Sequence, residues 1–210
     1  MRDSLPELFK AAPDLLSKLV TQLNPKELRA RGVKVSRVVH TPGTFIVTMP
    51  NVYHSGFNVG FNVAESCNFA ALPWLPYSKA VISKYAQVGL SRPVSISHDM
   101  MLVRIIERCS DSDIVNAAKC ELRFRVAEVT KLWEDLLEQL PSCVRQQPTT
   151  DEADCVVCDC DLWLLGCYDA RNPSEMVCPR HAMTLGTGRN DASITVSYRY
   201  TIDELNMLCN

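Results

Sequence analysis

Thr44-Phe45-Ile46-Val47-Thr48-Met49-Pro50-Asn51-Val52-Tyr53-His54-Ser55-Gly56-Phe57-Asn58-Val59-Gly60-Phe61-Asn62-Val63-Ala64-Glu65-Ser66-Cys67-Asn68-Phe69-Ala70-Ala71 is the stretch that decides how this chain is read. Residues 44–49 are rich in β-branched and aromatic side chains and predict a strand, which Pro50 closes; residues 62–70 predict a second extended run. The polar loop between them carries His54, Gly56, Asn58 and Gly60, so an imidazole sits at the mouth of a strand pair where glycines permit tight backbone. On residue types alone, an imidazole beside a turn is more often a hydrogen-bonded structural group than a metal ligand.

The string from Phe45 to Ala70 resembles the closing strands of the JmjC domain of histone lysine demethylases. The resemblance implies a cupin-like double-stranded β-helix in which Fe(II) is held by a His-x-Asp/Glu pair and a second, distal His, with positions left for 2-oxoglutarate and O₂. His54 matches the distal iron His, Asn58 an Asn near the 2-oxoglutarate, and Ser66 and Asn68 residues of a strand lining the pocket. The implied reaction is oxidative removal of an N-methyl group as formaldehyde, with the metal activating oxygen and the protein supplying position and a dry pocket.

This sequence departs from that pattern. Its four histidines are His40, His54, His98 and His181, and only His98 is closely followed by an acid, Asp99, at the wrong spacing for His-x-Asp/Glu. The resemblance begins close to Met1, which places the missing ligand pair and the family's 2-oxoglutarate-binding Lys upstream. One imidazole cannot hold Fe(II) against water, so this polypeptide by itself is expected to lack a working iron site.

A chain of 210 residues, 47% hydrophobic and 22% charged, can bury a core in one or two domains. The formal net charge of −2 gives no overall attraction to nucleic acid, and the basic run Lys26, Arg29, Arg31, Lys34 and Arg37 reads as a solvated face. No apolar run approaches membrane-spanning length, and Met-Arg-Asp-Ser-Leu-Pro lacks the apolar core of a secretory signal. An intracellular protein is expected, with the ten cysteines reduced or bound to metal.

Helical spacing predicts a helix over 5–20 broken at Pro13, a short helix capped by Asn24-Pro25 and stopped at Gly32, and an extended approach over 33–39. Residues 77–85 predict another helix. Ser97 caps one whose apolar face is Leu102, Ile105, Ile106 and Cys109, and Asp111 or Ser112 starts the longest, with Val126, Val129, Trp133, Leu136, Leu137 and Leu140 ending at Pro141. These helices form a spacer expected to pack beside the barrel remnant. Residues 146–153 are polar and read as a linker.

Cys155-x₂-Cys158 and Cys178-x₂-His181 then form two ligand pairs. Each spacing lets two side chains from one turn reach a single ion, and thiolate with imidazole suits tetrahedral Zn²⁺; four protein ligands leave no open position, so such a site is structural. Residues 155–208 also resemble the zinc finger that follows the JmjC domain in JARID-type demethylases, which has five Cys, one His and two Cys around two ions. Cys155, Cys158, Cys167, Cys178 and His181 match five of those eight ligands, whereas the others fall at Ala170 and near Gly186 and Gly188. If the two ions are cross-braced, one site survives complete at Cys155, Cys158, Cys178 and His181, and the expectation is one zinc with Cys167 and Cys160 as spare thiols. Residues 193–200 alternate as a strand, and Thr201-x-x-Glu204 opens a last helix as a capping box; the family finger ends in a similar Tyr-Arg-Tyr-Thr-x-Asp-Glu-Leu string.

The expected fold is therefore mixed α+β: the C-terminal part of a JmjC double-stranded β-helix over 1–76, a helical spacer over 77–145, a linker over 146–154 and a zinc finger module over 155–210. The resemblance implies a nuclear protein whose partners are a histone tail, with methylated lysine 4 of histone H3 as substrate, or other chromatin proteins. The rival expectation is a non-catalytic chromatin or protein-interaction module built on one structural zinc.

Overall fold

The computed structural model describes residues 1–13, 15, 22–78, 80–81, 94, 96–148, 153–185 and 191–210. The chain divides into two compact units, Met1–Cys67 and Asn68–Asn210.

In the first unit local signals succeed and non-local ones do not. Helix α1 (Pro6–Ala11) opens on a proline, whose missing N–H costs nothing at a helix start, and buries Phe9. The second half of the helix expected before residue 20 lies outside the described residues. Helix α2 (Pro25–Ala30) is capped by the Asn24 side chain, which accepts from the Lys26 N–H at 2.9 Å, and Gly32 follows it at φ 77°, the left-handed conformation that terminates helices.

The strands expected at 44–49 and 62–70 are not formed. No residue from 33 to 71 belongs to a ladder, and Phe45, Val59 and Phe61 are 96%, 99% and 101% exposed. A strand exists only when its backbone groups pair with a neighbour and one face is covered. Among the described residues of this unit nothing supplies either, so composition alone does not hold the conformation.

Among its described residues the second unit is built on three α-helices and a four-stranded sheet. Helix α3 (His98–Arg108) starts where the Ser97 hydroxyl accepts from the Met100 N–H, and it buries Leu102 and Val103 completely. Helix α4 (Ser112–Gln139) starts where the Asp111 carboxylate accepts from the N–H groups of Asp113 and Ile114. Its Ala118, Leu122, Val126, Val129 and Leu136 fall on one stripe and are buried. Of the helix expected over 77–85, residues 77–78 and 80–81 are helical and the remainder lies outside the described residues.

The sheet is made of β1 (Val144–Gln146), β2 (Leu165–Asp169), β3 (Asn172–Val177) and β4 (Ile194–Tyr198), in the order β1-β4-β2-β3. Strands β2 and β3 form a hairpin, β2 runs antiparallel to β4 with Leu165 opposite Tyr198, and β1 joins β4 in parallel with Val144 opposite Thr195. Helix α5 (Ile202–Cys209) closes the chain through a complete capping box between Thr201 and Glu204. Leu122 and Leu136 of α4, Val177 and Val196 of the sheet, and Leu205 of α5 share one core with Cys155 and Cys167.

A polar network that runs from the buried Asp99 to the surface fastens this core. Arg125 on α4 grips the Asp99 carboxylate with its Nε at 2.9 and 3.0 Å, and its Nη1 reaches Glu128 at 2.9 Å. Glu128 in turn accepts from Arg180 at 3.0 Å. The buried Ser78 hydroxyl donates to the Leu75 carbonyl at 2.7 Å and also meets His98 Nε2 at 2.6 Å.

Candidate metal centre

Two turns and one backbone cross-link bring the candidate zinc ligands together. In the first, the Asp159 N–H donates to the Cys155 carbonyl at 2.7 Å, and the Cys155 N–H donates to the Cys160 carbonyl at 2.9 Å. The reversal passes through Asp159 at φ 51°, a left-handed conformation that Asp tolerates better than most residues. The second is the 3-10 turn Pro179–Thr184, in which the His181 N–H donates to the Cys178 carbonyl at 2.8 Å and turns both side chains the same way. The third link is the Val156 N–H, which donates to the Met176 carbonyl at 3.0 Å and fastens the first loop to β3, just before Cys178.

The result is a compact donor set. The sulfur atoms of Cys155, Cys158, Cys160 and Cys178 all lie within 4.8 Å of one another. His181 Nδ1 lies 3.5 Å from Cys155 Sγ and 3.3 Å from Cys178 Sγ, and Cys158 Sγ lies 4.0 Å from Cys178 Sγ. A tetrahedral zinc with ordinary Zn–S and Zn–N bonds separates its ligands by about 3.8 Å for two sulfurs and about 3.6 Å for sulfur and nitrogen. The observed separations match, so the residues present fit a zinc ion. Sequence reasoning paired Cys155 and Cys158 with Cys178 and His181 but left Cys160 outside; the Asp159 turn brings it in.

The thiols are electrostatically unequal. Cys178 is held down to about 4, first by the hydrogen bond from Cys160 and then by neighbours that include His181 and Cys155, whereas that same bond and burial push the Cys160 thiol far up. Burial pushes Cys158 up to about 11 and Cys167 up to about 12. Cys167 is fully buried on β2, opposite Val177 and Val196, as part of the hydrophobic core. Ala170 lies in the β2–β3 turn, and Gly186 and Gly188 lie outside the described residues.

The residues singled out between His54 and Asn68 are not gathered. His54, Asn58, Ser66 and Asn68 are all exposed. Among the described residues His54 Nδ1 meets the carbonyl of Val52, at 3.2 Å, and the Asn58 side-chain oxygen accepts from Asn62 at 3.2 Å. Among the described residues the one cluster of metal-capable side chains is the cysteine group of the second unit. A single exposed imidazole without carboxylate partners does not fit Fe(II), and these residues do not form a 2-oxoglutarate pocket. No described helix is long and apolar enough to cross a membrane.

Comparison with known proteins agrees with both halves. Residues 1–69 match the model of the JmjC domain, hydroxylase, and residues 155–208 match that of the C5HC2 zinc finger. Human lysine-specific demethylase 5D is 35% identical over 213 residues, covering 98% of this chain and 14% of the relative. Lysine-specific demethylase 5B of Gallus gallus is 33% identical over 216 residues, 100% of this chain and 14% of the relative. Lysine-specific demethylase JMJ17 of Arabidopsis thaliana is 33% identical over 218 residues, 99% of this chain and 18% of the relative. The chain thus spans less than a fifth of the length of these relatives. With a JmjC stretch, a helical stretch and a C5HC2 finger in one order, the chain is homologous over nearly its whole length to JARID-type JmjC lysine demethylases.

Proposed function

We propose that the chain is the C-terminal JmjC and zinc finger part of an Fe(II)- and 2-oxoglutarate-dependent histone lysine demethylase that acts in the nucleus on methylated lysine 4 of histone H3. The observation that carries this reading is the near-complete alignment of the chain, at a third identity, with lysine-specific demethylases, together with its own matches to the JmjC and C5HC2 models. In this reading residues 1–76 belong to the JmjC domain, 77–145 are the spacer, 146–154 the linker and 155–210 the finger. His54 is the distal iron ligand, and Asn58, Ser66 and Asn68 line the co-substrate pocket once the rest of a barrel surrounds them. Cys155, Cys158, Cys178 and His181 hold one structural zinc. The ion ties the first turn to the segment after β3 and, lacking an open position, contributes folding rather than reaction chemistry.

As an isolated polypeptide the chain has no demethylase activity, because its donors do not make an iron site. Metal analysis of the purified chain should give one zinc and no stoichiometric iron, and formaldehyde release from a methylated histone H3 peptide, with iron and 2-oxoglutarate added, should be nil. Turnover by the isolated chain would overturn this reading.

A second reading, a non-catalytic chromatin or protein-interaction module, is favoured by the run of exposed apolar side chains from Phe45 to Phe69 beside an unassembled pocket. Sequencing the transcript ahead of the Met1 codon separates the two. An in-frame His-x-Asp/Glu and Lys support the enzyme, and their absence supports the module.

A further inference from the structure

The finger presents more donors than a tetrahedral ion can take. Cys155, Cys158, Cys160 and Cys178 form a four-sulfur set within 4.8 Å, while Cys155 and Cys178 are also at zinc-ligand separation from His181 Nδ1. Cys160 falls at none of the positions that the zinc finger resemblance assigns. Yet its place in the cluster is built rather than incidental: its own carbonyl is locked to the Cys155 N–H, and the left-handed Asp159 turns the chain back toward the site. Both Cys160 and His181 are partly buried.

We infer that this is a five-donor zinc site with a redundant fourth ligand, in which Cys155, Cys158 and Cys178 always bind and Cys160 and His181 alternate in the remaining position. The inference rests on the zinc reading given above and adds to it the identity of the exchanging pair. Two opposed effects bring the alternatives close. A fourth thiolate is the softer and stronger donor, but it gives the centre a net charge of −2. Imidazole is the weaker donor and leaves a net charge of −1, which costs less in a site partly withdrawn from water. Cys160 lies within 4.8 Å of all three common sulfurs, and His181 Nδ1 lies within 3.5 Å of two of them, Cys155 and Cys178, so the exchange is a matter of side-chain adjustment. The finger thereby tolerates loss of either ligand, which a site of four matched donors does not.

The test uses the full chain and three variants, Cys160→Ser, His181→Asn and the two combined, with zinc content, competition against a chromophoric chelator, and visible spectra after Co²⁺ substitution. Each single variant should retain one zinc with affinity within roughly 100-fold of the parent. The double variant should retain no chelator-resistant zinc. The cobalt spectra should separate the two forms: His181→Asn gives four-sulfur charge-transfer intensity, and Cys160→Ser gives three-sulfur, one-nitrogen intensity. Loss of zinc from either single variant, or a three-sulfur spectrum in His181→Asn, overturns the redundancy while leaving a zinc finger in place. A parent chain that binds no zinc overturns the zinc reading itself, so the two failures are distinguishable.

Discussion

Residues 1–67 and 68–210 align with the same relatives but have opposite structures. The first unit holds the longer and more apolar string, and its Phe45, Val59 and Phe61 stand almost wholly in solvent. The second holds fewer aromatic residues per motif, yet it packs Leu102, Leu122, Leu136 and Leu205 to less than a few per cent exposure. The difference lies in where the partners are. A helix satisfies its backbone internally and needs only one stripe covered, and a metal loop draws its ligands from two short turns. A barrel strand requires neighbours distant in sequence on both edges.

The sharpest way to break this contrast is to remove the metal. Chelation, or Cys178→Ser, should abolish the cooperative melting of the finger and the hydrogen-exchange protection of β2 and β4, since structural zinc supplies on the order of 10 kcal/mol of folding energy in such modules. Exchange in residues 33–67 should not change. Persistence of the β2 and β4 protection without metal would show that the sheet stands alone.

Arg125→Ala comes next. It leaves the Asp99 carboxylate, whose side chain is 6% exposed, without its cation, and chemical denaturation of the zinc-loaded chain should show a loss of about 3–5 kcal/mol.

A smaller effect concerns pH. Burial lowers the His98 pKa below its ordinary 6.5, against the opposing pull of Asp99, with Arg125 lowering it further. The unfolded chain therefore binds the proton more readily. The contribution of the neutral imidazole is complete above about pH 6.5 and is lost as pH falls from there toward the folded pKa. The stability difference between the parent and His98→Gln should accordingly shrink between pH 7.5 and 5.5. A difference independent of pH would assign His98 to packing alone.

The smallest effect is the one that most sharpens the comparison. Phe61→Ala removes a large aromatic side chain from a position 101% exposed, and it should change stability by less than about 0.5 kcal/mol. A core-like loss would mean that residues 44–71 are buried in solution.

The same distinction governs what could be read in advance. Asn24, Ser97, Asp111 and Thr201 were legible as helix starts because a cap is a contact between residues two or three apart. The stripe of α4 and the pairing of Cys155 and Cys158 with Cys178 and His181 were legible because both are matters of spacing. Strand β2 was not, since Leu165, Gly166 and Cys167 are buried on successive positions and the alternation that reveals a half-covered strand is absent. Cys160 was missed because its place depends on a single left-handed residue, Asp159, and no spacing rule encodes that turn. The strands read into 44–49 and 62–70 came from β-branched composition, which favours a ladder but cannot supply one.

The parallel pairing of β1 with β4 has a practical corollary for anyone transplanting the finger. Its outer strand is contributed by residues 144–146, ahead of Cys155, and its 3-10 turn is anchored by Arg180 to Glu128 on α4. A fragment cut at the first ligand cysteine leaves β4 with an open, pairing-competent border and Arg180 without its anchor, and such borders invite association between copies. The smallest autonomous piece of this finger begins on the long helix, several turns before the first thiol.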